Sequence, residues 1–70
     1  MTVPILIMSA DDGTSLWREM TGDVQPCRWC KTGTWWFWYR RTEPSPVLVP
    51  IGFFCASLCA SRHQKRRPQA

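Results

Sequence analysis

Apolar residues gather in short runs separated by polar turns, and each run predicts an element. The run Val3–Met8 is rich in β-branched residues and predicts a short strand, which Pro4 places at a sheet edge. Residues 11–15 combine acidic, glycine and hydroxyl residues, a pattern typical of a turn. Ser15 precedes the segment Leu16–Met20, which predicts a short helix capped by that serine.

The longest apolar run lies in the middle of the chain and predicts a β-hairpin. Residues 34–41 consist of a threonine, five consecutive aromatic residues and two arginines. Such a run of aromatic residues favours a strand over a helix. A turn with two prolines follows at residues 42–46, and residues 47–54 form the returning strand. Strand alternation divides the aromatic side chains between two faces. One face carries Trp35, Phe37 and Tyr39, and the other carries Trp36, Trp38 and Arg40.

The last segment, residues 55–67, predicts a helix that ends before Pro68. Its Ala, Leu, Gln, Lys and Arg content favours helical structure. In such a helix Cys55 and Cys59 lie one turn apart on the same face, with His63 one turn further. The helix dipole favours basic residues at the C-terminal end and thiolates in the first turn.

The length of the chain makes a covalent or metal staple necessary. A chain of 70 residues makes one domain at most, and a core of this size rarely supplies more than about 3–5 kcal/mol. A structural zinc ion contributes on the order of 10–16 kcal/mol of binding free energy. This exceeds the net stability of a typical small domain. We therefore expect metal binding to decide whether the chain folds.

The four cysteines form two close pairs separated by the length of a hairpin. Cys27 and Cys30 enclose two residues, and Cys55 and Cys59 enclose three. The first pair predicts a zinc knuckle, a tight loop whose backbone amides point at the sulfurs while both sulfurs reach one ion. The spacing predicts a structural zinc site of four thiolates. Two disulfides or an iron–sulfur cluster are the alternatives, and His63 is a further possible ligand.

The order of knuckle, hairpin and cysteine-bearing helix resembles a treble-clef zinc finger. The string Phe54–Cys59 is similar to the helix-opening motif of FCS-like and MYM-type fingers, and also to small zinc proteins that bind and inhibit DNA gyrase. The resemblance covers residues 27–63 and departs from those families at Ala56, where they usually have serine. It implies tetrahedral ligation by the four cysteines and a small zinc-stabilised α+β fold. Such fingers serve both protein and nucleic-acid contacts.

Charge is distributed unevenly along the chain. Residues 1–26 hold four acidic residues against one arginine, a net charge of −3, whereas residues 27–70 hold eight basic residues against one glutamate, a net charge of +7. Four of these basic residues lie in the last nine positions: Arg62, Lys65, Arg66 and Arg67. Such a tail either indicates an anionic partner or improves the solubility of the chain.

We expect a cytoplasmic protein. Thiols stay reduced in the cytoplasm, where paired cysteines bind a metal ion more readily than they form disulfides. No targeting or membrane-spanning segment is evident in the sequence.

These patterns predict a binding module and not an enzyme, since a site closed by four cysteines leaves no position open for water. The expected organisation is an N-terminal strand or extension at 1–26, a treble-clef-like zinc domain at 27–63 and a basic tail at 64–70. The first hypothesis is docking on a larger protein through the aromatic face of the hairpin, so that the chain modulates a nucleic-acid enzyme such as a polymerase or gyrase. We expect no small-molecule substrate. The second is direct nucleic-acid binding by the basic helix, Arg40 and Arg41. A metal-stabilised structural component of an assembly is the third. The residues expected to contact a partner are Trp35, Trp36, Trp38, Arg40 and Arg41.

Overall fold

The structure, a computed structural model, describes the backbone of residues 3–66 and the side chains of residues 3–65. It consists of an antiparallel sheet of four strands in the order of the chain, followed by one helix. The strands are β1 (Ile5–Ser9), β2 (Thr14–Pro26), β3 (Gly33–Thr42) and β4 (Val49–Phe53), and the helix is α1 (Ser57–Arg66). No helix in this described part of the chain is long and apolar enough to span a membrane.

The predicted hairpin is confirmed, and its two strands are β3 and β4. Phe37 of β3 pairs with Phe53 of β4, and Trp38 pairs with Gly52. A bulge follows, after which Tyr39 pairs with Pro50. The proline and the glycine of β4 therefore lie at a sheet edge with an irregular ladder, as their chemistry requires.

The prediction of a short helix at Ser15–Met20 is wrong, because these residues form the first half of β2. Leu16 pairs with Met8 of β1 on one side and with Arg40 of β3 on the other. So short a helix is marginal in water, whereas a central strand gains two ladders of backbone hydrogen bonds and buries Leu16 to 5% exposure. The tertiary pairing outweighs the local preference.

Residues 1–26 contribute β1 and β2 to the same sheet that contains the hairpin. β2 pairs with β3 over most of its length, and the register shifts between Met20 and Gln25, where Thr21 donates a hydrogen bond to the Trp35 carbonyl. The division of the chain at residue 27 stays a prediction.

The hydrophobic core lies between α1 and one face of the sheet. Trp38, Phe54 and Ala60 are fully buried there. The remaining members of the cluster are Leu16, Cys27 and Ile51. Because side chains alternate along a strand, the neighbours of Leu16 and Trp38 point to the opposite side. The helix thus covers one face, and the other face is here termed the open face. It carries Leu6, Trp17, Trp35, Phe37, Tyr39 and Phe53.

Candidate metal centre

The loop between β2 and β3 presents Cys27 and Cys30 in the predicted knuckle geometry. The backbone N–H groups of Trp29 and Cys30 donate to Cys27 Sγ at 3.4 and 3.5 Å. The Lys31 N–H donates to the Cys27 carbonyl at 3.0 Å, and the Cys27 N–H donates to the Thr32 carbonyl at 2.8 Å. These bonds close the loop and direct donors at a buried sulfur, where they favour the thiolate form.

Lys31, and not the glycine two residues later, gives this loop its turn. Lys31 has φ of 73°, in the left-handed region that glycine usually occupies. Gly33 is instead the first residue of β3. A knuckle of this shape is therefore compatible with a lysine at the turning position.

The second pair of cysteines is positioned by Phe54, which precedes them and is fully buried. Its carbonyl accepts hydrogen bonds from Trp38 Nε1 at 2.6 Å and from Thr34 Oγ1 at 3.3 Å, and its N–H donates to the Trp36 carbonyl at 3.3 Å. Three bonds to β3 thus hold the segment that leads into Cys55.

The helix begins at Ser57, so Cys55 precedes α1 and Cys59 lies in its first turn. The predicted helix start at Cys55 is two residues early. The bend before α1 still brings both sulfurs to the knuckle, with Cys30 Sγ 3.4 Å from Cys55 Sγ and Cys55 Sγ 3.6 Å from Cys59 Sγ.

All four sulfurs lie within 4.8 Å of one another. A tetrahedral zinc site with Zn–S distances of about 2.3 Å requires sulfur separations of roughly 3.8 Å, so the cluster has the size that such an ion needs. The cysteines are not disulfide-bonded, and the 3.4 Å separation of Cys30 and Cys55 is far from the roughly 2.05 Å of a disulfide. The donor set fits a thiolate-bound metal ion, with zinc the metal that four thiolates suit best among structural sites.

His63 does not belong to this cluster of described residues that could hold a metal. Its ring packs against Phe54, with the centroids 5.1 Å apart, and its Nδ1 lies 3.4 Å from Gln64 Nε2. Within residues 3–65, the cluster consists of the four cysteines alone.

The pKa directions of the thiols fall into two pairs. Hydrogen bonds from the side chain and backbone of Thr32 lower the pKa of Cys30 from 9.0 to about 6. Burial opposes ionisation of Cys27, but the backbone N–H groups of Cys30, Cys55 and Trp29 together outweigh it and lower the pKa. Hydrogen bonding to Cys30 raises the pKa of Cys55 to about 12, and burial raises the pKa of Cys59. The two knuckle thiols thus have lowered pKa values, whereas the pKa values of Cys55 and Cys59 are raised.

The raised pKa values of Cys55 and Cys59 are opposite to the direction expected from the helix dipole. Hydrogen bonding to Cys30 at Cys55 and burial at Cys59 outweigh the partial charge of the helix terminus, and the nearby Cys27 adds to both shifts. A bound metal cation reverses the balance, because a coordinated thiol is deprotonated.

The residues predicted to contact a partner are divided between the two faces of the sheet. Trp35 is 49% exposed on the open face. The prediction for Trp38 is wrong, because this residue is fully buried and its indole N–H is bonded to the Phe54 carbonyl. Trp36 is half-buried on the covered face, where the guanidinium of Arg18 stacks 3.9 Å from its ring centroid.

The two arginines that follow the aromatic run also point to opposite faces. Arg40 lies on the covered face, where its Nη1 donates to Gln64 Oε1 of α1 at 3.1 Å. Arg41 pairs with Ser15 at the end of the open face, and its Nε donates to the Ser45 carbonyl at 2.9 Å. They therefore do not form one basic patch.

The basic residues of the last segment are described in part. Arg62 and Lys65 are exposed on α1. Arg66 is the last residue of α1, and its side chain and Arg67 lie outside the described part of the chain. An anionic partner for this group stays a prediction.

Sequence reasoning missed most of the open face outside β3. Trp17 pairs with Leu6 and with Tyr39, and the Tyr39 hydroxyl donates to Glu19 Oε1. The alternation of Ser15, Trp17 and Glu19 with buried Leu16 is the signal for this face, and assigning these residues to a helix concealed it.

Comparisons with known proteins add no relative: no protein-family model, curated protein or solved structure matches the chain.

Proposed function

We propose that this chain is a zinc-stabilised binding module of the treble-clef type that docks on a larger protein through its open face. The metal part of the proposal rests on the four clustered sulfurs. Four cysteine ligands complete a tetrahedral zinc site, so no coordination position is left for a substrate or a reacting water. The ion then has a structural role, which supports a binding protein over an enzyme.

The treble-clef assignment is supported by the order of the elements that supply the ligands. A knuckle supplies Cys27 and Cys30, the β3–β4 hairpin follows, and the bend before α1 and its first turn supply Cys55 and Cys59. The Arg28 N–H donates to the Phe53 carbonyl at 2.9 Å, so the knuckle is also tied to the hairpin.

The observation that carries the docking proposal is that α1 covers one face of the sheet and leaves an aromatic face uncovered. On that face, Phe37 makes edge-to-face contacts with Tyr39 and Phe53, each at a centroid distance of 5.1 Å. Trp35 and Leu6 are about half exposed, at 49% and 51%. Contiguous aromatic surface of this kind is typical of protein-binding sites, where Trp and Tyr dominate the binding energy.

The charge of the open face favours a protein over a nucleic acid as the occupant. Glu19 lies at its centre, bonded to Tyr39, and Arg41 lies at its end. A hollow of roughly 330 Å³ beside Leu6 and Trp17 is bordered by Arg41 and by two acidic residues, Asp11 and Glu43. A phosphate backbone requires excess positive charge, whereas this mixture of signs suits the polar rim of a protein interface.

The test compares Trp35→Ala with Met20→Ala. The two side chains are almost equally exposed, at 49% and 48%, but Met20 lies on the covered side of the sheet. A partner captured from the source organism is purified, and its affinity for the zinc-loaded variants is measured by calorimetry. We expect Trp35→Ala to weaken binding by at least about tenfold, and Met20→Ala to leave it unchanged.

As a control, zinc content and urea unfolding are measured for both variants to verify that each keeps the fold. Equal affinities for the wild type and Trp35→Ala would contradict docking through the open face. A weakening in Met20→Ala alone would move the interface to the opposite side.

A further inference from the structure

A cleft of roughly 280 Å³ lies between β4 and α1 on the covered side of the sheet. Its polar lining consists of Arg28 from the knuckle, Arg40 from β3, and His63 and Gln64 from α1, with residues 49–51 of β4 supplying an apolar wall. Among the described residues, none that lines the cleft is acidic. Three separate elements thus direct basic side chains to one concave surface.

Arg28 is held in this cleft by β4. Its Nη1 donates to the Ile51 carbonyl at 3.1 Å. Its aliphatic stem lies over Gly52, where a Cβ atom would come within 2.5 Å of Arg28 Cδ. The partner is a neutral carbonyl, so it leaves the positive charge of the guanidinium uncompensated and leaves other N–H donors for a ligand.

Arg40 is held in the same way from the helix side. Its Nη1 donates to Gln64 Oε1 at 3.1 Å, again a neutral acceptor. A guanidinium presents five donors in a planar fork that matches the oxygens of a phosphate. The guanidinium groups of Arg28 and Arg40 are each held by one hydrogen bond to the protein. Because their positions are restricted before a phosphate group binds, less conformational entropy is lost on binding.

The surroundings of the cleft favour a chain of phosphates over a single ion. Lys65, exposed on α1, lines a neighbouring hollow together with Arg40 and Gln64, a hollow that Asp12 also borders. This lysine extends the positive surface beyond a single phosphate. A linear polyanion can contact the cleft and Lys65 together, and its affinity grows with each phosphate neutralised.

We infer that the cleft formed by Arg28, Arg40, His63 and Gln64 binds the phosphodiester backbone of a nucleic-acid strand. This site lies on the side of the sheet opposite the open face and does not depend on the proposed protein docking.

The experiment measures binding of a fluorescein-labelled oligothymidylate to the full, zinc-loaded chain by anisotropy over a range of salt concentrations. We expect Arg28→Gln and Arg40→Gln each to weaken binding by about tenfold. The slope of log affinity against log salt should fall in magnitude by about 0.7 for each phosphate of the single strand that a variant no longer neutralises. Arg28→Lys, which keeps the charge but not the fork, should bind more weakly than the wild type.

Arg41→Gln is the matched control, because it removes the same charge from the opposite face. It should weaken binding by much less than either cleft variant. A weakening equal to theirs would show that only net charge matters and would overturn the inference. Trp35→Ala should bind the strand as the wild type does, so failure of this site is separable from failure of protein docking.

An alternative role for the arginines is to stabilise the metal centre. A zinc ion with four thiolates carries a net charge of −2, which a nearby arginine can offset. Zinc affinity is therefore measured for each variant with a competing chelator. Weaker zinc binding in Arg28→Gln together with unchanged strand binding would assign the arginine to the metal centre and refute the site. Binding of phosphatidylglycerol vesicles without binding of the strand would also refute it.

Discussion

Lys31 has a backbone conformation that lysine seldom adopts, and the metal loop depends on it. Its φ of 73° turns the chain so that the carbonyl of the next residue, Thr32, accepts a hydrogen bond from the Cys27 N–H. For residues with a Cβ atom, this conformation costs about 1–2 kcal/mol. The stability of the knuckle is therefore reduced by the residue at its turn.

We expect Lys31→Gly to raise the free energy of unfolding by about 0.5–1 kcal/mol, because the relief of strain exceeds the added flexibility of glycine in the unfolded chain. Lys31→Ile should lower it by about 1–3 kcal/mol. Urea unfolding of the zinc-loaded variants at constant free zinc measures both. Lys31→Gln controls for the removed charge and should change stability by less than about 0.5 kcal/mol. Destabilisation by glycine would contradict the left-handed turn.

Single residues differ in how far the sequence predicts their roles. The spacing of Cys27, Cys30, Cys55 and Cys59 is enough to predict a common site, because metal ligation requires only that four donors meet. The burial of Trp38 is not predictable in this way. Alternation separates it from Trp35, but nothing in the aromatic run indicates which of the two faces the helix covers.

β2 is the element whose type the sequence obscures most. Ser15 followed by Leu16–Met20 satisfies the local pattern of a capped helix, and the competing strand pattern depends on partners far along the chain. Leu16 pairs with Arg40, 24 positions away in the sequence. The hairpin is easier to predict, since both of its strands and the turn between them lie within residues 33–53.

The hydrogen bond between Tyr39 and Glu19 joins β3 to β2 across the open face. The bond to this carboxylate raises the tyrosine pKa from 10.0 to about 12. A raised pKa means that the folded state retains a proton that the unfolded state loses. The stabilisation is therefore complete below pH 10 and disappears as the pH rises towards 12.

We expect Tyr39→Phe to lower the free energy of unfolding by about 1 kcal/mol at neutral pH. The difference from the wild type should disappear between pH 10 and 12, because the bond in the wild type breaks there. Since Tyr39 is the only tyrosine in the chain, tyrosinate absorbance of the folded protein reports its pKa directly. Titration at the ordinary value of 10.0 would contradict the bond. Glu19→Gln, which removes the carboxylate charge, should bring the titration towards that value.

At the scale of the whole molecule, the metal centre is the point where the knuckle, the hairpin and α1 meet. Within the described residues, the core between α1 and the sheet contains six buried hydrophobic side chains, one of which is Cys27. From a core of this size we expect the fold to depend on the free energy of metal binding.

We expect the zinc-loaded protein to contain one ion per chain and to lose its helical circular dichroism when a chelator removes the ion. The raised pKa values of Cys55 and Cys59 mean that zinc must displace protons from both, so affinity should fall as the pH is lowered. Calorimetry in buffers of different ionisation enthalpy measures the protons released. Retention of the folded spectrum after complete removal of zinc would show that the metal is not structural.

The position of α1 on one side of a single-layered sheet gives the molecule two unlike surfaces, and the smallest extent of the molecule is only 19 Å. The two proposed ligands, a protein on the open face and a strand in the cleft between β4 and α1, would lie on opposite sides of the sheet. If both proposals hold, we expect one chain to hold the two ligands at an effective concentration in the millimolar range typical of short tethers. The consequence would be a bridge that recruits one ligand to the other without altering the intrinsic affinity for either.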